Sequence, residues 1–285
     1  MTPQQYCHDK AAKSGSSFYY SFRFLPPRQR DAIMALYAFC REVDDAVDEI
    51  SDLSTAAQTL AWWREEIHRS FQGKATHPVG KALAMTLQDF ALHEEYFHEI
   101  IDGMEMDLTQ HRYPAFKHLA LYCHRVASVV GLLSAEIFGF SDRKTLKFAE
   151  KLGLAFQLTN IIRDVREDAE RGRIYLPEDE MQQFGVSTQS VLLLQQTDAL
   201  TELLKFQAQR AEQIYQEAMQ LLPAQDRYNQ RTALIMAEIY RTTLQEIANE
   251  NFPVMQQRIS LTPIRKLWLA WKTVRREKKL AKHRE

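Results

Sequence analysis

Apolar residues recur along this chain at steps of three and four, the period of an amphipathic helix. Thr2 and Pro3 read as an N-cap and a first helical residue, opening a helix that stops near Ser14 and Gly15. Longer helices are expected over residues 28–50, 54–71 and 79–90, and another, rich in small residues, from Pro114 onward. A central helix capped by Ser141 should run to about Ala169, with amphipathic helices following over 188–222 and 227–251. The prolines fall between these periodic segments and no linker interrupts them. Residues 1–263 therefore read as a single all-α domain, and 264–285 as a basic C-terminal helix or tail.

Two of the helices carry a polar stripe beside an apolar arc. In the central helix, Gln157, Asn160, Asp164 and Asp168 follow at steps of three, four and four, flanked by Leu158, Ile161, Ile162 and Val165. The helix over 28–50 repeats the arrangement with Tyr37, Arg41, Asp44 and Asp48 beside Ile33, Leu36, Phe39, Val43 and Val47. One such aspartate pair is ordinarily a solvated helix face. Two pairs, each beside an arginine and each bordering an apolar arc, point to one cavity of a helical bundle. Carboxylates carried into a core repel one another and need a cation, and Mg²⁺ suits an all-oxygen set that bridges to a phosphate-bearing substrate.

Composition narrows the partners. With a formal net charge of −1, nothing global points to nucleic acid. Three cysteines without CxxC spacing suit a reducing compartment. No signal peptide is recognisable and apolar runs stay short of a membrane span, so a cytoplasmic location is expected, with peripheral membrane contact through the tail. That tail holds nine Lys/Arg against two Glu, with Leu267, Trp268 and Trp271 among them. Such a segment either lies on an anionic membrane or docks as a helix ending in a disordered charged tail.

Other segments speak less specifically. SGSSFYYSF offers hydroxyl and backbone donors to an anion at Ser14, Ser16 and Ser17, although such a stretch is usually a plain loop. Asp102, Glu105 and Asp107 sit near a helix end, either framing the polar mouth or forming a solvated acidic turn. Ala127, Ser128, Gly131, Ser134 and Ala135 suit close approach of a helix or of a hydrocarbon. His93 and His98 are one residue too far apart for a zinc motif, and Trp62 and Trp63 read as core. ERGRIYLPEDE, with Arg171 and Arg173, looks like a lid beside the aspartates.

YAFCREVDDAVDE, YCHRVASVVG and QLTNIIRDVREDAERGRIYLP together resemble the signature regions of the squalene/phytoene synthase family, over residues 14–258. Both ends of the chain look most like the members that make presqualene diphosphate for hopanoids. The resemblance implies an all-α isoprenoid synthase (class I terpenoid synthase) bundle around a central cavity. It places Mg²⁺, with Mn²⁺ as substitute, on Asp44, Asp48, Asn160, Asp164 and Asp168. It gives diphosphate or prenyl contacts to Arg41, Arg163 and Arg258, to Ser14, Gly15, Ser16 and Ser17, and to Tyr37, Tyr122, Gln157 and Tyr240. The diphosphate itself, or a tyrosine such as Tyr175 or Tyr240, would assist proton loss. Ser14 stands where relatives often carry histidine. The implied reaction is head-to-head condensation of two farnesyl diphosphates without NADPH, with downstream isoprenoid enzymes as partners. Its rivals are squalene, dehydrosqualene or phytoene synthesis, a terpene cyclase, and a catalytically silent assembly factor of the same fold.

Overall fold

The computed structural model describes residues 1–14 and 17–283, apart from the side chains of Ser17 and Tyr20. Gly15 and Ser16, expected at an anion site, lie outside the described residues, as does the side chain of Ser17. The helices are α1 Pro3–Lys13, α2 Ser17–Phe22, α3 Pro27–Asp48, α4 Leu53–Phe71, α5 Pro78–Asp89 and α6 Glu94–Thr109. Then come α7 Phe116–Cys123 and α8 Val129–Phe138, joined through a π-helical turn, His124–Ser128, into one rod. They are followed by α9 Lys144–Arg163, α10 Val165–Glu170, α11 Glu178–Phe184, α12 Thr188–Leu192, α13 Asp198–Leu221, α14 Arg231–Asn249 and α15 Pro263–Lys282. No strand occurs among the described residues.

Local chemistry accounts for many of the boundaries. At α1 the Thr2 hydroxyl accepts from the Gln5 backbone N–H while the Gln5 side chain accepts from that of Thr2, a reciprocal capping box. Asp52, Ser187, Thr197 and Thr262 cap α4, α12, α13 and α15 through their side chains.

Two expected boundaries need correction. Ser141 does not cap the central helix, because its hydroxyl and N–H both donate to Asp226, and α9 starts only at Lys144. Asp226 collects four such donors from Ser141, Asp142 and Thr145, which fastens the start of α9 to the turn before α14. The helix expected over 188–222 is two helices, separated where Leu194 adopts φ 56°.

Two apolar cores build the body. One joins α3 to α4, α5, α6 and α8, with Phe39, Trp63, Phe97 and Leu133 buried in it. The other joins α9 to α13 and α14, around Phe148, Leu152, Tyr215 and Ile235. The α7–α8 rod runs between them, and tight contacts mark its crossing with α9. A Cβ on Gly131 would meet the Ala149 carbonyl oxygen at 2.5 Å, and one on Gly153 the Ala127 carbonyl oxygen at 2.6 Å. Only glycine lets these backbones approach so closely.

Phe116–Phe138 is, contrary to expectation, apolar and long enough to cross a membrane, but half of it is buried inside the bundle. Its apolarity serves the packing between the two cores. At the C-terminus, α15 begins at Pro263, where the basic segment was expected to start, and packs on α14 and α2.

Candidate active site

Asp44 and Asp48 project from the last turns of α3, and Asp164 and Asp168 from the junction of α9 with α10. All four line one cavity of about 470 Å³. The sequence stripe survives a break in the helix. Asp164 leaves helical geometry with φ −104° and ψ 17°, yet its N–H reaches the Asn160 carbonyl at 2.8 Å and the Asp168 N–H reaches its own carbonyl at 2.9 Å. The central helix therefore kinks at Asp164 instead of running straight to Ala169, and the polar side of the stripe still faces the cavity.

Arginines hold the carboxylates from several elements. Arg41 donates to Asp44 and, at 2.7 Å, to Asp45. Arg171 and Arg173, from the loop after α10, donate to the two oxygens of Asp48 at 2.9 and 2.7 Å. Arg163 forms a two-pronged pair with Asp164, whose Oδ1 also accepts Arg258 Nε at 2.8 Å. The loop expected as a lid is thus latched to α3, and Arg112 Nη1 fixes its turn by donating to the Gly172 carbonyl at 2.7 Å.

Burial of these carboxyls has a cost that arginine offsets unevenly. Burial, followed by the neighbouring charges of Asp164 and Asp107, pushes the Asp168 carboxyl up to about 8. Burial likewise pushes Asp44 up to about 6, outweighing Arg41. Asp164 goes the other way. Burial would raise it, but the hydrogen bonds and charges of Arg163 and Arg258 hold it below the usual carboxylate range.

A further carboxylate completes the group. Asp107 of α6 is buried and accepts the hydroxyls of Tyr122 at 2.9 Å and Tyr175 at 2.7 Å, the two rings being stacked with centroids 5.1 Å apart. Burial places it at about 6. The sequence left Asp107 among three acidic residues of equal standing. Asp102 and Glu105 instead face Arg64, Glu105 at 3.0 Å, and take no part in the cavity.

The polar mouth opens inward. Gln157 and Asn160 line both it and a second, apolar pocket of about 200 Å³. That pocket lies in the seam between the two cores, walled by Phe22, Leu36, Val130, Leu152, Phe156 and Met236. The small residues Ala127, Gly131, Ser134 and Ala135 also line it, so they serve helix packing and pocket space at once.

Other expected site residues are displaced from the mouth. Tyr37 borders the apolar pocket and donates to the Ser14 hydroxyl at 2.9 Å, which sets Ser14 beside that pocket's wall. Tyr240 is buried against Phe156, centroids 4.8 Å apart, and, against the effect of burial and after Asp164, raises the Arg163 guanidinium electrostatically from behind the mouth. Among the described residues His98 pairs with Glu94, and Trp63 is core while Trp62 is surface.

The donor set suits a hard divalent cation. Every candidate ligand is an oxygen, and Asn160 Oδ1 and Glu167 Oε2 are buried with no hydrogen-bond partner. Among the described residues no three acidic, histidine or cysteine side chains close around an ion by themselves. An ion that keeps its waters and takes much of its shell from a phosphate needs no such closed cage.

An all-helical bundle with two facing aspartate pairs over an apolar pocket is the architecture of an isoprenoid synthase. The profile of the squalene/phytoene synthase family matches residues 11–265, and the chain belongs to that family. A phytoene synthase of Arthrospira platensis is 37% identical over 268 residues, covering 88% of this chain and 86% of its own. A presqualene diphosphate synthase of Sinorhizobium fredii is 35% identical over 262 residues, covering 92% and 94%. Among solved structures, a dehydrosqualene synthase superposes with a TM-score of 0.85 at 29% identity, covering 97% of both chains. A squalene synthase from Alicyclobacillus acidocaldarius gives 0.78 at 27%, covering 88% and 94%. The chain is accordingly an enzyme of prenyl transfer.

Proposed function

We propose that the enzyme joins two farnesyl diphosphates head to head and releases presqualene diphosphate and one diphosphate. The observation that carries this reading is the continuity of the arginine- and aspartate-lined mouth with the apolar pocket through Gln157 and Asn160. One end fits a diphosphate and the other a prenyl chain. The likeness to a presqualene diphosphate synthase over nearly the full length of both chains supports the product. The likeness to a phytoene synthase supports a second reading, with C20 substrates.

Mg²⁺ held by Asp44, Asp48, Asn160, Asp164 and Asp168 would supply the positive charge that stabilises a departing diphosphate. The chain's own part begins with an exchange. Arg163, Arg258, Arg171 and Arg173, which pair with Asp164 and Asp48, can turn from those carboxylates to the substrate's phosphate oxygens. The allylic C–O bond then breaks, its electron pair leaving with the diphosphate. The pocket walls keep water from the cation, and the double bond of the second chain attacks it. Loss of one proton closes the cyclopropane ring. Tyr175 takes that proton while passing its own to Asp107, a reading supported by the hydroxyls of Tyr175 and Tyr122 both donating to that carboxylate. Release at this stage requires that the remaining diphosphate is not ionised again.

Incubation with Mg²⁺ and either farnesyl or geranylgeranyl diphosphate, followed by product identification, tests the reading. Presqualene diphosphate from the C15 substrate is expected. Turnover of the C20 substrate alone, giving phytoene, would replace this reading with the second.

A further inference from the structure

From the geometry of α15 we infer that the outward face of this helix is a docking surface for an anionic lipid bilayer. The inner face is committed to the protein. Leu269, Ala270 and Thr273 are buried in the contact with α14 and α2. Glu277, the only carboxylate in the helix, is turned fully inward, where it accepts Arg227 through two bonds of 2.9 Å and Arg276 at 3.0 Å. Among the described residues of α15 no other carboxylate is present to face outward.

What remains is apolar and cationic. Ile264 is 80% exposed, Trp268 52% and Trp271 50%. Lys272 lies 4.9 Å from the Trp268 ring centroid and Arg275 4.7 Å from that of Trp271. Among the described residues, Lys272, Arg275, Lys278 and Lys279 form no ion pair with a carboxylate. Exposed indoles cost free energy in water, while unpaired cations on the same side repel a second copy of this face. An anionic bilayer answers both, taking the rings at headgroup depth and the cations against lipid phosphates.

Helices α2 and α14, on which α15 lies, contribute Phe18, Phe22, Ala233 and Met236 to the apolar pocket. Arg258, which donates to Asp164 in the polar mouth, stands five residues before the first residue of α15. A bilayer on this face would sit close to where a prenyl product leaves. The inference holds whatever the chain length of the substrate.

The full chain is mixed with vesicles of phosphatidylcholine alone or with phosphatidylglycerol added, and bound protein is measured by sedimentation at low and high salt. Binding should need phosphatidylglycerol, weaken with salt and shift tryptophan emission to the blue. Trp268→Ala/Trp271→Ala and Arg275→Glu/Lys279→Glu should each weaken it at least about tenfold with unchanged melting temperature, since these side chains are exposed. Absence of binding, equal binding to neutral vesicles, or undiminished binding by both variants would overturn the inference. So would a concentration-dependent dimer that both variants abolish.

Discussion

Asp168 bears the heaviest electrostatic burden in the mouth, and the cost has a measurable sign. Its carboxyl is raised from 3.8 to about 8, so the folded metal-free protein holds that proton more tightly than the unfolded chain does. Its contribution to stability is full below about pH 4 and is lost as pH rises towards 8. Asp168→Asn should therefore raise the melting temperature of the metal-free enzyme at pH 8, change it little at pH 4, and abolish turnover. Asp107 gives a second titration. If it receives the final proton through Tyr175, turnover at saturating substrate and Mg²⁺ should rise with pH through about 6. Asp107→Asn should lower that turnover by roughly 10²–10⁴ and flatten the acidic limb, leaving KM nearly unchanged. An unaltered pH profile would remove Asp107 from the chemistry. Spacing made the four motif aspartates legible, because steps of three and four place side chains on one stripe whatever the tertiary fold. Asp107 could not be told apart from Asp102 and Glu105, since what distinguishes it is the pair of hydroxyls, of Tyr122 and Tyr175, that reach it from separate elements.

At the scale of elements, the crossing of the α7–α8 rod with α9 sets the width of the pocket. Gly153 allows the approach, and a Cβ there would also stand 2.7 Å from Ser128 Cα. Gly153→Ala should destabilise the fold by about 1–3 kcal/mol, read as a lowered urea midpoint with unchanged slope. Unchanged stability would show that the rod shifts freely. The small-residue pattern hinted at such a crossing without naming the partner helix. The kink at Asp164 was invisible for a definite reason: hydrogen bonds on both sides of it continue, so the polar stripe has the same spacing with or without it. The break at Leu194 was hidden too, because a leucine carries no sign that its backbone will be left-handed.

Across the whole molecule, two cores meet along a seam, the pocket lies in that seam, and the mouth is clamped by arginines reaching Asp48 and Asp164 from the loop after α10 and from Arg258. The helical class, the convergence of the two stripes and the latching loop could be read from the chain alone. The docking of α15 was one of two readings the sequence left open, because its inner face is short and the single acid of the helix is indistinguishable in sequence from a solvated one. The proposed arginine exchange has a global readout. Mg²⁺ with inorganic diphosphate should raise the melting temperature, corresponding to about 2.7 kcal/mol at 100 times the dissociation constant. Asp48→Asn and Asp164→Asn should each lose most of that gain while folding normally. A full shift in both variants would mean that diphosphate binds elsewhere.

The central claim is a condensation that stops with one diphosphate still on the product, and stoichiometry tests it directly. Diphosphate release is measured against farnesyl diphosphate consumed, with Mg²⁺ present and with or without NADPH. One diphosphate for every two farnesyl diphosphates, unchanged by NADPH, is the expected result. Two diphosphates for every two consumed, or squalene formed once NADPH is added, would contradict it.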